Sequence, residues 1–156
     1  MNNYSFEIKT SKDFLNKLII EVSDYERQLT SSRHAINAAM TAWHLVDWVY
    51  NEFNFNSTFP NFSDFKIYIK SRCPKLQIMN DIATGSKHFQ INSYPPKVQE
   101  TKLHEGAYSD EYSREYDIST LQVVVNNETY NFIDELENVR DFWKEYFSNE
   151  LNINME

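Results

Sequence analysis

Histidine and aspartate occur at two places in the sequence with spacings that could support chemistry. His44 and Asp47 lie three residues apart, and Asp81 and His88 lie seven residues apart, with Lys87 beside the second histidine. If these residues faced one another inside a helical bundle, two imidazoles and two carboxylates could hold a metal ion and activate water for hydrolysis. The alternative is that both sets are solvated helix edges, with Lys87 and His88 as cations at a helix C-terminus.

Both pairs fall on predicted helices that are apolar around most of their circumference. At about 100° per residue, the polar residues of each helix gather on a strip about 120° wide. The first polar strip consists of Arg33, Asn37, Thr41, His44, Asp47 and Asn51, and the second of Gln77, Asn80, Asp81, Thr84, Lys87 and His88. The candidate catalytic residues are therefore His44, Asp47, Asp81, Lys87 and His88, and the predicted binding residues are Arg33, Asn37, Thr41 and Trp48.

The composition narrows the classes of partner and reaction. A net charge of −8 and a pI near 5.0 oppose binding to nucleic-acid phosphates, which depends on clustered lysine and arginine. The single cysteine, Cys73, is either a reactive thiolate near a helix start or a small packing residue. The sequence has no Gly-rich phosphate loop, no Gly-x-Ser-x-Gly elbow and no His-Glu-x-x-His motif. Met1–Lys9 is polar and no stretch of about 18 residues is wholly apolar, which predicts a cytoplasmic protein without a membrane segment.

The first half of the chain predicts an antiparallel pair of helices. Thr10 and Asp13 have the spacing of a capping box, which starts a helix that runs to about Gln28. Thr30–Ser32 ends this helix and caps a second one, which carries the first polar strip to about Phe53.

Two shorter elements are predicted next. Asp64–Arg72 alternates apolar and polar residues like a strand, but Ser63 and Asp64 at its start favour a short helix. Pro74 suits the first turn of a further helix, whose buried face extends to Phe89.

The second half predicts less regular structure. Residues 90–117 contain prolines, tyrosines and many charges, which indicates a binding loop or disorder, with a strand at Val98–His104. Leu121–Val125 and Glu128–Phe132 predict a hairpin around Asn126 and Asn127, because asparagine tolerates the positive φ of a tight turn.

A last helix is predicted after this hairpin, capped by Asn131 and frayed from Ser148 onward. Its aromatic residues exceed what one helix face usually buries, which predicts a homodimer through Phe142, Trp143, Tyr146 and Phe147. The predicted fold is mainly α, a single-domain bundle of four to five helices with a small β-hairpin between the fourth and last helices. Its parts are a helical core at 10–89, an irregular segment at 90–117, a hairpin at 118–132 and a C-terminal helix at 133–148.

Several segments resemble small bacterial proteins related to the HEPN helical superfamily. The resemblance is carried by Ala35–Ala39 leading into Trp43–Trp48, and by Asp81–Ala83 leading into Lys87–Phe89. It covers residues 10–89 and the last helix. HEPN ribonucleases carry an arginine separated from a histidine by four to six residues, usually at a dimer interface. Arg27 and His34, with six residues between them, have that spacing.

Two functions remain open at this stage. The favoured one is a noncatalytic protein-binding or regulatory module, for which the HEPN resemblance implies a bacterial defence or toxin–antitoxin setting. This function expects a protein partner or a second copy, no cofactor and no metal, and the net charge disfavours a nucleic acid. The alternative is a HEPN-like ribonuclease or a metal-assisted hydrolase that uses the pairs His44/Asp47 and Asp81/His88.

Overall fold

The longest helix lies at the centre of the bundle and contacts every other helix. The computed structural model describes residues 4–54 and 58–155, which form five α-helices and one three-stranded antiparallel sheet. The helices are α1 (Ser11–Glu26), α2 (Ser32–Phe53), α3 (Phe62–Arg72), α4 (Leu76–Lys87) and α5 (Phe132–Asn149), and the strands are β1 (Val98–His104), β2 (Thr120–Val125) and β3 (Glu128–Asn131). α2 packs against α1, α3, α4 and α5. The predicted mainly α fold, with a hairpin before the last helix, is confirmed.

Capping residues start the first two helices where the sequence predicts. The Thr10 hydroxyl accepts a hydrogen bond from the Asp13 amide at 3.1 Å, and the Asp13 carboxylate accepts one from the Thr10 amide at 2.9 Å. The same carboxylate accepts from the Lys9 amide, and these hydrogen bonds lower the pKa of Asp13. Ser31 caps α2 by accepting from the His34 amide. The predicted capping box and the junction between the two helices are therefore confirmed.

The segment that could have been a strand is the helix α3. The Asn61 side chain accepts a hydrogen bond from the Asp64 amide at 3.0 Å, which caps the first turn. The helix ends at Arg72. Cys73, the residue after it, is buried, and this burial raises the pKa of its thiol. Cys73 is thus a packing residue, and its interpretation as a reactive thiolate is wrong.

α4 is shorter than predicted at both ends. Pro74 lies in the turn before the helix, and the helix ends at Lys87. His88 adopts extended backbone, and the Phe89 ring is fully exposed. The prediction that the buried face of this helix reaches Phe89 is therefore wrong.

The aromatic residues of α5 face the core rather than a second copy. Trp143 and Phe147 are completely buried, Tyr146 is buried and Phe142 packs against the core cluster. The Trp143 indole donates a hydrogen bond to the Ala42 carbonyl at 3.2 Å. The reason given above for a homodimer through this helix is wrong, because the bundle itself covers these side chains.

The end of the chain is attached to the bundle beyond α5. The amides of Leu151 and Ile153 donate to carbonyls at the end of that helix, and Lys12 Nζ donates to the Asn154 carbonyl at 2.7 Å. For the described residues the predicted fraying from Ser148 is wrong, because the helix extends to Asn149 and hydrogen bonds hold Leu151, Ile153 and Asn154. Glu156 lies outside the described residues.

The three strands lie in the order β1-β2-β3. Asn126 and Asn127 form the β2–β3 turn with φ values of 52° and 63°, as predicted. Asn131 occupies the N-cap position of α5, but its side chain makes no capping bond and accepts instead from Gln122 on β2 at 3.1 Å. Phe132 belongs to the helix rather than to the hairpin.

The predicted irregular segment contains the predicted strand and an ordered loop. In this loop Tyr108 pairs with Ile118, and its ring packs against those of Tyr112 and Tyr116. A Cβ at Gly106 would lie 2.2 Å from the Asp117 carbonyl oxygen, so only glycine fits there. Close backbone packing thus gives residues 105–119 a defined path despite their polar composition.

Candidate functional site

The second polar strip contains a buried carboxylate. Asp81 on α4 is only 3% exposed. Its Oδ1 accepts from Gln77 Nε2 at 2.8 Å and from the Tyr94 hydroxyl at 2.9 Å, and its Oδ2 accepts from the amides of Lys97 at 2.7 Å and Val98 at 2.9 Å. Burial raises the pKa of Tyr94 to about 12, so this hydroxyl remains a donor at neutral pH. Asp81 therefore anchors the start of β1 to α4.

The other members of this strip divide between the interior and the surface. Asn80 is buried, and its Oδ1 accepts from the Thr84 hydroxyl at 3.2 Å. Lys87 and His88 are exposed at the end of α4 and just beyond it. Because His88 has left the helix, the helical spacing that placed it on the strip does not apply to it.

The histidine and aspartate of the first strip are exposed on α2. Partial burial lowers the pKa of His44, the Asp47 charge opposes this shift, and Lys17 and Lys87 reinforce it. Asp47 also accepts a hydrogen bond from Asn51 Nδ2 at 3.1 Å. We call Lys17, His44, Asp47 and Lys87 the His44 patch, to which α1, α2 and α4 contribute.

The structure thus brings together three of the five candidate catalytic residues, His44, Asp47 and Lys87. Asp81 is not among the charged groups that shift the pKa of His44, and donors from its own neighbourhood occupy both its oxygens. Within residues 4–54 and 58–155, no group of three or more His, Cys, Asp or Glu side chains could hold a metal ion. The predicted cluster of two imidazoles and two carboxylates is therefore wrong.

Two of the predicted binding residues belong to the contact between α1 and α2. Thr41 is buried; its hydroxyl donates to the Asn37 carbonyl at 3.0 Å and accepts from Lys17 Nζ at 2.6 Å. Lys17 also pairs with Glu21 at 3.0 Å. These polar groups satisfy one another, so Thr41 serves helix packing.

The other two predicted binding residues lie far apart on α2. Trp48 stacks on Phe14 of α1 with ring centroids 4.8 Å apart and planes inclined by 17°. Arg33 is exposed in the first turn of α2, about 22 Å away along the axis at 1.5 Å per residue. These two side chains do not form a common site.

The arginine and histidine of the HEPN-like spacing each contact their own helix. Arg27, at the end of α1, binds the side chains of Asp24 and Ser23. His34, in the first turn of α2, has its Nε2 atom 3.3 Å from a guanidinium nitrogen of Arg33.

A cavity of about 460 Å³ lies between the helices and the sheet, and of the predicted site residues only Asp81 lines it. Its walls come from the start of α2, the second half of α4, the residues before β1, and β1 and β2. This volume is within the range of about 300–1,000 Å³ typical of ligand pockets. Asp81 contributes one polar part of the wall, and much of the rest is aliphatic, including Ala35, Ile36, Ile82, Ile91, Leu103 and Leu121.

The strand beside this cavity has a free edge. In the part of the chain that the structure describes, β1 pairs with β2 on one side and with no strand on the other. Leu103 of β1 lines the cavity and keeps 51% of its surface exposed. An unpaired edge presents backbone N–H and C=O groups that an added strand can bind.

Apart from Asp81, sequence reasoning missed this site because segments from several separate parts of the chain form it. One weak signal was available: Gly85 interrupts α4, and a Cβ there would lie 3.8 Å from Ile91 Cδ1, on the cavity wall. A glycine in a helix, however, does not reveal which segment packs beside it.

Comparison of the chain with protein-family models, with curated proteins and with solved structures gave no match. A search of the described residues for a helix long and apolar enough to cross a membrane also found none.

Proposed function

We propose that this chain is a noncatalytic protein-binding module that accepts an extended segment of a partner at β1 and the adjoining cavity. A strand added to the edge of β1 would satisfy its backbone groups, and an apolar side chain of that strand would enter the cavity. The observation that carries this proposal is the position of the cavity, about 460 Å³, beside a strand that is paired on one side only among the described residues.

The chemistry of the cavity supports binding rather than catalysis. Its charged residues are Asp81 and Lys102, and both oxygens of the Asp81 carboxylate already accept two hydrogen bonds each. A general acid or base must reach a substrate proton within hydrogen-bonding distance, and Asp81 is committed elsewhere. The aliphatic wall instead favours burial of an apolar group, at about 25 cal/mol for each Å² removed from water.

The setting is part of the proposal. The HEPN resemblance supports a bacterial defence or toxin–antitoxin system. The net charge of −8 supports a protein partner over a nucleic acid. A single cysteine, buried in the core, is compatible with a reducing cytoplasm.

A peptide-display selection against the folded full chain tests the function. Enriched peptides are expected to share one apolar anchor residue. Gly85→Leu places a side chain toward Ile91 in the cavity, so it should weaken their binding by about tenfold or more in calorimetric titrations.

Gly85→Ala is the matched control, because a single methyl group at 3.8 Å from Ile91 is an ordinary contact. It should leave peptide affinity within about twofold of the unmodified chain. Peptides that bind Gly85→Leu as tightly as the unmodified chain would contradict the proposal, and so would a selection that enriches no peptide.

The His44 patch supports a second candidate, a HEPN-like ribonuclease or hydrolase. Because its pKa is lowered, the His44 imidazole is uncharged at neutral pH and could act as a general base. Lys17 and Lys87 could attract a phosphate, although Asp47 offsets part of their charge.

Incubation with bulk RNA, with and without Mg²⁺ or Mn²⁺, separates the two functions. We expect no cleavage and no salt-dependent binding, because the chain is acidic and Asp47 offsets one of the two lysine charges of the patch. Cleavage that disappears in His44→Ala would favour the second candidate. Loss of cleavage in Arg27→Ala, His34→Ala or His88→Ala would place the chemistry elsewhere and equally overturn the noncatalytic function.

A further inference from the structure

We propose that the segment which adds to β1 is β1 of a second copy of this chain, so that two copies form one continuous antiparallel sheet about a twofold axis at Thr101. The inference rests on the proposed function, since it uses the same strand edge, and it names the partner.

The usable part of the edge is short and regular. The pairing of β1 with β2 is interrupted between Val98 and Glu100, so Gln99 forms a bulge. The Gln99 side chain holds this bulge against the β2–β3 turn, because its Oε1 accepts from the Asn127 amide at 2.7 Å. From Glu100 to His104 the strand pairs residue by residue with β2, which leaves a straight outer edge.

Two opposite charges lie next to each other on one face of this edge. Glu100 and Lys102 are two residues apart in β1, so their side chains point to the same side of the sheet. Both residues are exposed. Within the described residues, neither side chain makes an ion pair or a hydrogen bond, so both are available to a partner.

Symmetry selects the register. In a twofold antiparallel pair centred on Thr101, Glu100 of each copy lies opposite Lys102 of the other, which gives two complementary cross-strand pairs. Centring the axis on Lys102 would place two lysines opposite each other, and centring it on Glu100 would do the same with two glutamates. Of these three registers, only the one at Thr101 matches opposite charges.

This surface also replaces the one that the aromatic content of α5 had predicted. Trp143 and Phe147 are completely buried, so they offer no surface to a second copy. Charged residues on an edge strand can also prevent pairing, and Glu100 and Lys102 would then keep the chain monomeric. Variants that reverse the charge of either residue distinguish a dimer held by these side chains from a monomer.

The test measures mass in solution by light scattering and sedimentation at low ionic strength. The unmodified chain should form a dimer of about twice its 18.6 kDa mass. Glu100→Lys alone and Lys102→Glu alone should each weaken dimerisation by about tenfold or more, because each creates two like-charge pairs.

An equimolar mixture of the two single variants should restore the dimer. In that mixture each exchanged residue meets an opposite charge on the other copy, because one copy carries two lysines and the other two glutamates at these positions. Glu111→Lys, an exposed charge change in the loop that follows β1, is the control and should leave the dimer unchanged.

A monomeric unmodified chain overturns the inference, as does a dimer that the single variants leave intact or that their mixture fails to restore. None of these results alters the peptide titrations with Gly85→Leu. Failure of the self-pairing and failure of the proposed function are therefore seen in different experiments.

Discussion

Asp47 on α2 and Asp81 on α4 both lie on the polar strip of an otherwise apolar helix, but the surroundings of the two strips differ. His44 and Asp47 of the first strip meet solvent, and the charges of Lys17 and Lys87 act on His44. On the second strip, Asp81 is covered by the chain that leads into β1, whose amides bind the carboxylate. Asp81 therefore anchors another segment of the chain, whereas Asp47 remains part of an exposed charged surface.

The comparison also locates the cavity. Asp81 fixes the start of β1 against α4, and the space between that strand, α4 and the start of α2 is where the cavity opens. None of the four residues of the His44 patch lines this cavity. The proposed binding site therefore lies on the Asp81 side of α4, and the predictions below test this division.

The largest effect is expected from Asp81→Ala. This change leaves the amides of Lys97 and Val98 without their acceptor and releases Gln77 and Tyr94. We expect a loss of about 2–4 kcal/mol in the free energy of unfolding, measured by urea titration. Asp81→Asn, which keeps one acceptor oxygen, should lose clearly less; equal stability of Asp81→Ala and the unmodified chain would show that no anchor exists.

A smaller effect of opposite sign is expected from Gly85→Ala at the cavity wall. Gly85 lies in the last turn of α4 without a positive φ, and the new methyl group meets only Ile91 Cδ1, at 3.8 Å. Alanine is the better helix former, so stability should rise by about 0.5–1 kcal/mol. A fall in melting temperature would mean that the wall at this point is more closely packed than described.

His44→Ala should change stability little. The side chain is exposed, and its main interactions are with charges that partly cancel. We expect a change within about 0.5 kcal/mol at neutral pH. A loss above about 1 kcal/mol would place His44 in a buried hydrogen-bonded network and reverse the contrast with Asp81.

The smallest effect concerns the titration of the His44 patch. The pKa of His44 is below its ordinary value of 6.5 in the folded chain, so any stability that depends on it is present above that value and lost as the pH falls through the folded pKa. Lys87→Ala should raise the pKa of His44, and Asp47→Asn should lower it further. NMR titration of the imidazole Cε1–H resonance measures both; a pKa unmoved by Lys87→Ala would separate α4 from this patch.

Local signals in the sequence predicted most of the fold. Thr10, Asp13 and Ser31 fix helix starts through contacts within one turn, and Asn126 and Asn127 specify the hairpin by their own φ values. The site could not be predicted in this way. Periodicity places Asp47 and Asp81 on equivalent strips, because it records which side of a helix a residue occupies and not which distant segment covers that side.

The same limit explains the incorrect dimer surface. The aromatic residues of α5 looked too numerous for one helix face, but α5 packs against both α1 and α2, which bury them. Tertiary packing, rather than composition, decides whether such a surface is free.

Mapping of backbone amide resonances during titration with an enriched peptide tests the central claim most directly. The proposal predicts that perturbed amides cluster on Glu100–His104 of β1 and on Ile82–Ser86 of α4, and that Gly85→Leu abolishes them. Perturbations confined to Trp43–Asn51 of α2, unchanged by Gly85→Leu and lost in His44→Ala, would contradict it and transfer the binding function to the His44 patch.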